Sequence, residues 1–287
     1  MLRKNFAILL FFVPVIIYSQ LPETDLWLFK LKTENKQLQL GEGKNITPRK
    51  GYDNQPCFTS DDKRILYVSI REDDQADVYS YDISKEQSLQ LTKTKTSEYS
   101  PTIMPNGKLI SCVVVEPDSA QRLWLYNLDG SLNKCFNEGI DSIGYHSWLS
   151  NDTLLYYKLT EPHSLRAFYK YSNEDVWLCD KPSRAFKKTT GNVFMYAIKD
   201  TAEIAYRQYN TITKVSVEYA THKSKSEDFV WNPALGLLKS EGTQILKYDE
   251  KTKVWLTLFD FGSVGIKKIT RFALDSKNKQ LVIVNNN

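Results

Sequence analysis

Three histidines, His146, His163 and His222, are the side chains best able to act as bases or metal ligands near neutral pH. They are scattered along the chain, whereas a metal-dependent lyase needs such ligands in a cluster. No Cys-x-x-Cys pair offers another metal site. We therefore predict no metal site, no cofactor and no catalytic residue. His146 keeps two interpretations: a base or ligand that faces a cavity, or a position that varies between repeats.

Carboxylates cluster at Asp61-Asp62 and at residues 72–74, where several oxygens could attract calcium. Both clusters fall where a hairpin turn is expected, and Asp is a common turn residue. We therefore interpret both as turns.

A more specific set combines aromatic with ionisable side chains at the start of short apolar segments. Asp53 and Glu98 stand 45 residues apart, and each has a tyrosine beside it, as His146 does. If these segments repeat in space as they do in sequence, their side chains ring one mouth of a central channel. The predicted binding site is Tyr52, Asp53, Glu98, Tyr99, Tyr145 and His146.

The same 45-residue step recurs in the elements that must position this site. Opening triplets, the turns that follow them and an aromatic-rich strand all return at that step. The triplets begin at Pro56, Pro101 and His146, the turns at Ser60, Pro105 and Ser150, and the strand at Val78 and Leu123. Repeats of roughly 40 to 50 residues made of short strands are typical of β-propeller blades. One blade cannot cover its own two faces, so the blades must close into a ring.

The predicted fold is all-β, a six-bladed β-propeller in a single domain that spans residues 20–287. Five blades follow one another at about residues 50–94, 95–137, 142–189, 192–226 and 228–265. Strands at residues 26–31 and 37–47 have no partners before them, and strands at 267–275 and 280–285 have none after them. We therefore predict that the N- and C-terminal strands share the sixth blade, which leaves no exposed sheet edge.

The third blade admits two strand assignments. In the first, residues 175–180 form its third strand and residues 184–189 its fourth. In the second, residues 168–171 form the third strand. We prefer the first, because residues 184–189 then fall where a fourth strand is needed. A fourth strand in the fourth blade is then hard to find.

Aromatic residues make up 13% of the chain and lie mostly at strand positions. Packing between blades uses large flat side chains, so we interpret them as core residues and not as a sugar-stacking surface. The strand aromatics are Trp27, Tyr79, Tyr81, Trp124, Tyr126, Trp177 and Trp255.

Residues 1–19 have the pattern of a signal peptide. Arg3 and Lys4 precede an apolar run of 13 residues, and Ser19 precedes the expected cleavage point. The run is shorter than the roughly 20 residues that span a bilayer. An uncleaved anchor is the alternative, but we expect cleavage and no membrane span afterwards.

The net charge and the cysteines indicate which partners and which disulfides to expect. The net charge of +4 does not predict a nucleic-acid partner. An oxidising compartment permits three disulfide pairings among the four cysteines, although their positions favour buried thiols. The cysteines are Cys57, Cys112, Cys135 and Cys179.

The repeat resembles that of the TolB-like propellers. Residues 56–65 carry its opening strand and turn, residues 78–82 its aromatic strand, and Leu91-Thr92 its ending. The match is good over two blades and fair in the third and the closing one. The resemblance implies a periplasmic propeller, here expected to lack the α/β domain that precedes the propeller in TolB. Propellers of this type also precede prolyl-oligopeptidase-like catalytic domains, but the Gly-x-Ser-x-Gly motif of those enzymes does not occur.

The resulting hypothesis is a periplasmic or secreted monomer that binds a protein or peptide at the cell envelope. Loops collected at one mouth of a rigid ring suit recognition. Two alternatives stay open: a lactonase- or lyase-like propeller enzyme with a metal in the channel, and a glycan-binding module. The sequence does not indicate the partner or the pathway.

Overall fold

Each repeat folds as a meander of four antiparallel strands, because turn residues separate its short apolar runs. The computed structural model describes residues 21–35, 37–200 and 203–287. The predicted signal peptide at residues 1–19 lies outside the described residues. Within the described ranges, the one helix is a 3-10 turn at Gly262–Val264. No helix of these ranges is long and apolar enough to cross a membrane.

The described residues form 24 strands. The first twelve are β1 (Thr24–Glu34), β2 (Gln37–Asn45), β3 (Tyr52–Phe58), β4 (Arg64–Ile70), β5 (Ala76–Asp82), β6 (Gln87–Gln90), β7 (Ser97–Ile103), β8 (Leu109–Val115), β9 (Gln121–Asn127), β10 (Leu132–Cys135), β11 (Ile143–Ser150) and β12 (Thr153–Lys158). The others are β13 (Ser164–Tyr169), β14 (Glu174–Asp180), β15 (Pro182–Lys188), β16 (Val193–Lys199), β17 (Ile204–Asn210), β18 (Val215–His222), β19 (Phe229–Asn232), β20 (Gly236–Glu241), β21 (Gln244–Asp249), β22 (Val254–Asp260), β23 (Ile269–Leu274) and β24 (Gln280–Asn286).

Hydrogen bonding sorts these strands into sheets. The sheets β7–β10, β11–β14, β15–β18 and β19–β22 each have four strands, which we call the second to fifth blades. The remaining eight strands form one sheet, in which β1 and β3 are joined only by the pair Thr24 and Tyr52. We divide the sheet at this pair. The division gives a first blade, β3–β6, and a shared blade, β23, β24, β1 and β2.

The first and last described strands pair in the shared blade, as the sequence predicts. β1 pairs antiparallel with β24 from Thr24 to Lys30, and Leu28 lies opposite Val282. Trp27 lies opposite Ile283, which is fully buried. The first strand of each blade contacts the first strand of the next, in the order β3, β7, β11, β15, β19, β23 and back to β3. This closed order makes the protein an all-β propeller with a ring of six inner strands.

Turns after the inner strands link neighbouring blades. Asp62 has a φ of +57° and Gly107 a φ of +70°, as the turn chemistry of the repeat requires. The Asn106 N–H donates to the side chain of Asn151, one repeat further on, at 3.0 Å. The Ser276 N–H donates to the Asp62 carboxylate at 3.0 Å, which ties the shared blade to the first. Asp62 and Asn151 therefore join neighbouring blades at this end of the ring.

The core lies between blades. Residues 65–70 of β4 are buried without alternation, because both faces of this strand pack against other sheets. The cluster around Ile283 joins the shared blade to the fifth through Phe29, Phe261 and Leu238. Of the cysteines, Cys112 and Cys179 are buried, Cys57 and Cys135 are half-buried, and all four are free.

The preferred assignment of the third blade is wrong, and the second is closer. The third strand is β13, residues 164–169, and residues 174–180 form the outer strand β14. Residues 184–189 instead belong mainly to β15, the inner strand of the fourth blade, which gives that blade its four strands. The misleading feature was Trp177, which looks like a core aromatic but is 53% exposed on the outer strand. The apolar alternation of β13 is the true core pattern, since Leu165 and Ala167 are fully buried.

The shared blade should unfold with the rest of the ring. Ile283→Ala leaves a cavity in its core and should lower the free energy of unfolding by about 2–5 kcal/mol. Leu256→Ala, on the outer strand β22 where the side chain is 49% exposed, is the control and should stay within about 0.5 kcal/mol. Urea unfolding followed by circular dichroism measures both. Separate transitions for the shared blade and the remainder would contradict a closed ring.

Candidate functional site

The six inner strands surround a central cavity of about 430 Å³. Residues on all six strands line it, among them Cys57, Thr102, Ser147, Lys187, Val230 and Phe272. In five of the six inner strands the lining begins part-way along the strand, and it extends to the turns at Asp62 and Ser276. We call this space the channel cavity. Its volume lies within the roughly 300–1,000 Å³ typical of ligand sites.

Bulges turn the inner strands toward the channel cavity. Gln55 and Ser100 have φ values of +58° and +54°, and the strand register shifts at both places. Pro56 and Pro101 follow the bulges and line the cavity. Proline is tolerated there because an inner strand has no ladder partner on its channel side. The repeat's opening proline therefore shapes the cavity wall.

Three side chains meet across the cavity and form what we call the arginine layer: Tyr145, Arg184 and Arg271. The Arg271 guanidinium lies 5.1 Å from the centre of the Tyr145 ring, although β23 and β11 are three inner strands apart. Arg184 of β15 donates through Nη2 to the Thr270 carbonyl at 2.8 Å, past the strand between them. All three are half-buried. Each of the three is the first residue of its strand that lines the channel cavity.

Tyr52 and Tyr99 lie close to the arginine layer. Both pack against the small core of Val68, Ile70 and Ala76. Burial raises the pKa of Tyr52, while the charges of Arg271 and Arg184 act to lower it. The structure thus brings together the three tyrosines that the sequence places at the mouth. It adds two arginines that sequence reasoning missed.

The predicted carboxylates have a different environment. Asp53 and Glu98 are fully buried, and neither lines the channel cavity. Asp53 accepts a hydrogen bond from Arg49 Nη2 at 2.9 Å, and Glu98 accepts one from the Thr96 hydroxyl at 2.9 Å. Burial raises the pKa of both carboxyl groups. Their contacts fix the entry to the inner strands, so we assign them a structural role.

His146 lines the cavity and is almost fully buried. Its Nε2 lies 2.7 Å from Ser111 Oγ, which also accepts a hydrogen bond from Trp148 Nε1 at 2.8 Å. Within the described residues, its Nδ1 is buried without a hydrogen-bond partner. Burial, aided by the charge of Lys187, lowers the pKa of His146 to about 3. The imidazole is therefore neutral at physiological pH and keeps one free polar atom.

The other candidate ligands are dispersed. His222 Nε2 lies 3.8 Å from the Glu241 carboxylate, in the outer part of the ring. In the described part of the chain, no group of three or more His, Cys, Asp or Glu residues could hold a metal ion. Asp61 accepts a hydrogen bond from the Thr59 hydroxyl at 2.7 Å and serves the turn.

Comparison with known proteins supports the fold. The sequence matches no protein-family model and no curated protein. The structure is similar to a protein from Agrobacterium tumefaciens assigned as TolB, with a TM-score of 0.69 and 11% identity over 92% of this chain and 98% of that one. It is similar to TolB from Acinetobacter baumannii, with a TM-score of 0.59 and 11% identity over 91% of this chain and 63% of that one.

An oligogalacturonate lyase, solved with manganese, has a TM-score of 0.55 and 9% identity over 88% of this chain and 81% of that one. At such identities the likeness shows the β-propeller fold alone. Proteins with different activities share this ring. Function must therefore be argued from the lining of the channel cavity.

The state of His146 can be measured. Because its pKa is lowered in the folded protein, the unfolded chain binds the proton first as the pH falls. Stability is therefore lost as the pH falls from about 6.5 toward 3. Between pH 7 and 5, the wild type should lose on the order of 2 kcal/mol more than His146→Gln. Urea unfolding at both pH values tests this, and an NMR titration of the His146 ring near 6.5 would contradict it.

The structural role of Glu98 predicts a cost in stability. Glu98→Ala leaves the Thr94 and Thr96 hydroxyls without their acceptor and should lower the free energy of unfolding by about 1–3 kcal/mol. The matched control is Glu72→Ala at an exposed hairpin tip, with an expected change within about 0.5 kcal/mol. Thermal and urea unfolding provide the comparison. Equal effects of the two substitutions would rule out this role.

Proposed function

We propose that this propeller is an exported scaffold that binds a protein or peptide segment in its channel cavity. The observation that carries the proposal is the cavity itself, whose wall draws side chains from all six inner strands. It combines apolar walls such as Phe58 and Val230 with polar groups such as His146 and Ser147. Recognition sites have this mixture of apolar surface and a few placed polar groups.

The wall is preorganised for binding. Every inner strand is bonded to the second strand of its blade, and the turns at Asp62 and Asn106 are bonded to neighbouring blades. A partner that binds here meets side chains already held in position, so little ordering opposes association. The ring itself acts as a monomer in this proposal.

The proposed location is the periplasm or the cell envelope. Residues 1–19 carry the export pattern, and residues 20–287 form the mature domain in this proposal. The resemblance of the repeat to TolB-like propellers supports the same location. Because the proposed location is the periplasm or envelope, the proposed partner is also located there.

Photocrosslinking in the native cells tests the proposal. p-Benzoylphenylalanine in place of Ser147 puts the reactive group in the channel cavity. We expect a discrete adduct with one partner in the periplasmic or secreted fraction, because a bound segment lies within reach of this side chain. Mass spectrometry identifies the partner.

The matched control carries the same group at Thr213, an exposed turn residue between β17 and β18. It should give no such adduct. Identical adducts at both positions, or none at Ser147 in a protein that melts like the wild type, would remove the channel cavity as the binding site.

A further inference from the structure

We infer that the arginine layer, together with Lys187, forms an anion-binding subsite that takes the carboxylates of an acidic peptide. This inference rests on the proposed function and deepens it, since it names the chemistry of the bound segment. It depends on three cations that share one cavity wall: Arg184, Lys187 and Arg271.

These cations have no acidic partner among the residues that the structure describes. No ion pair within the described residues involves Arg184, Lys187 or Arg271, although nine such pairs exist elsewhere in those residues. The Nε of Arg184 is also buried without an acceptor. Arg184 and Arg271 are half-buried, and a partly desolvated guanidinium without a carboxylate is electrostatically unsatisfied. An incoming anion would satisfy it.

The acids of the cavity wall do not fill this role. Asp228 accepts a hydrogen bond from the Phe272 N–H at 3.2 Å. Asp62 is engaged by the backbone N–H and the hydroxyl of Ser276 at the far turn. Each carboxylate is thus hydrogen-bonded to a residue of a neighbouring blade. Neither forms an ion pair with the three cations, whose charge is available to a ligand.

The two guanidinium groups suit a carboxylate better than a monatomic anion. Arg271 is oriented by the Tyr145 ring, and Arg184 by the Thr270 carbonyl, so neither is a freely moving side chain. Planar guanidinium groups bind carboxylates through paired N–H donors. Lys187 lies nearer the downstream end of β15, where a second carboxylate would reach it. The two arginines and Lys187 thus lie at different depths in the cavity. This spacing matches an extended peptide that carries several carboxylates.

The backbone around the cavity favours a peptide as that chain. β7, β11, β15, β19 and β23 are edge strands, and β3 has only the Thr24–Tyr52 pair on its other side, so the channel sides carry peptide groups without a ladder partner in the sheets. Peptides bind to such edges through main-chain hydrogen bonds. The free Nδ1 of His146 offers one more polar contact on the same wall.

Calorimetry with defined probes tests the inference. A blocked oligoglutamate of six residues should bind the full protein, and an oligoglutamine of the same length should not. Arg184→Gln and Arg271→Gln should each raise Kd by about tenfold or more, because a charged hydrogen-bond partner is lost. Lys187→Gln should weaken binding as well. It keeps the test valid if the arginine variants misfold, since Lys187 is exposed and no hydrogen bond of its side chain holds the described fold.

Arg122→Gln is the matched control, because Arg122 carries the same charge on β9 outside the cavity. Its Kd should equal that of the wild type. Equal binding of oligoglutamate by wild type and Lys187→Gln, or equal binding of oligoglutamine, would overturn the inference. Preferential binding of tri-galacturonate or inorganic sulfate over oligoglutamate would also overturn it. Ser147 adducts that persist in the arginine variants would refute the anion subsite and leave the proposed function standing.

Discussion

The antiparallel pairing of β1 with β24 is the contact on which the rest of the ring depends. It joins residues at opposite ends of the chain, from Thr24 opposite Asn286 to Lys30 opposite Gln280. Without it, β1–β2 and β23–β24 would be two-stranded ribbons, which are marginally stable alone and expose sheet edges. Loop-closure entropy opposes so long-range a contact. Buried residues on both partners, such as Leu26 and Val284, offset that cost.

Closure also determines the geometry of the channel cavity. Arg271 reaches Tyr145 from an inner strand three positions away, which is possible only if the inner strands form a ring of this circumference. Arg184 likewise reaches Thr270 past β19, the shortest of the inner strands. The arginine layer is therefore a property of the ring and of no single blade. A change in how the chain ends meet would move Arg271 relative to its partners.

Sequence reasoning works best where the repeat is regular. The turns at Asp62 and Gly107 and the strands of the first two blades follow from the 45-residue step, and the shared blade follows from the strands left without partners at either end of the domain. It fails in the third blade, because Trp177 gives an outer strand the appearance of a core strand. That error has a second consequence, since it hides β15 as an inner strand. With β15 misassigned, Arg184 and Lys187 could not be placed on the cavity wall.

The site was harder to predict than the fold for a physical reason. Spacing indicates which strand carries a residue, but a bulge decides which way its side chain points. Asp53 and Glu98 share a repeat position and are both buried in hydrogen-bond networks of the strand entry. Tyr145 and His146, just downstream of an equivalent register shift, line the cavity. Tyr145 and His146 occupy the repeat positions of Gln55 and Pro56, which also line the cavity, whereas Asp53 and Glu98 precede the register shift of their strands.

Positions that build the ring and positions that give it chemistry are therefore largely separate. Turn residues and buried apolar runs build the blades, and an oligogalacturonate lyase shares the propeller fold at only 9% identity. Arg184, Lys187 and Arg271 belong to neither group, since the described ion pairs and apolar clusters do not use them. Charge retained at such positions adds little to folding and leaves guanidinium groups unpaired within the described chain. Under the inferred anion subsite, this unpaired charge favours an anionic partner in the channel cavity.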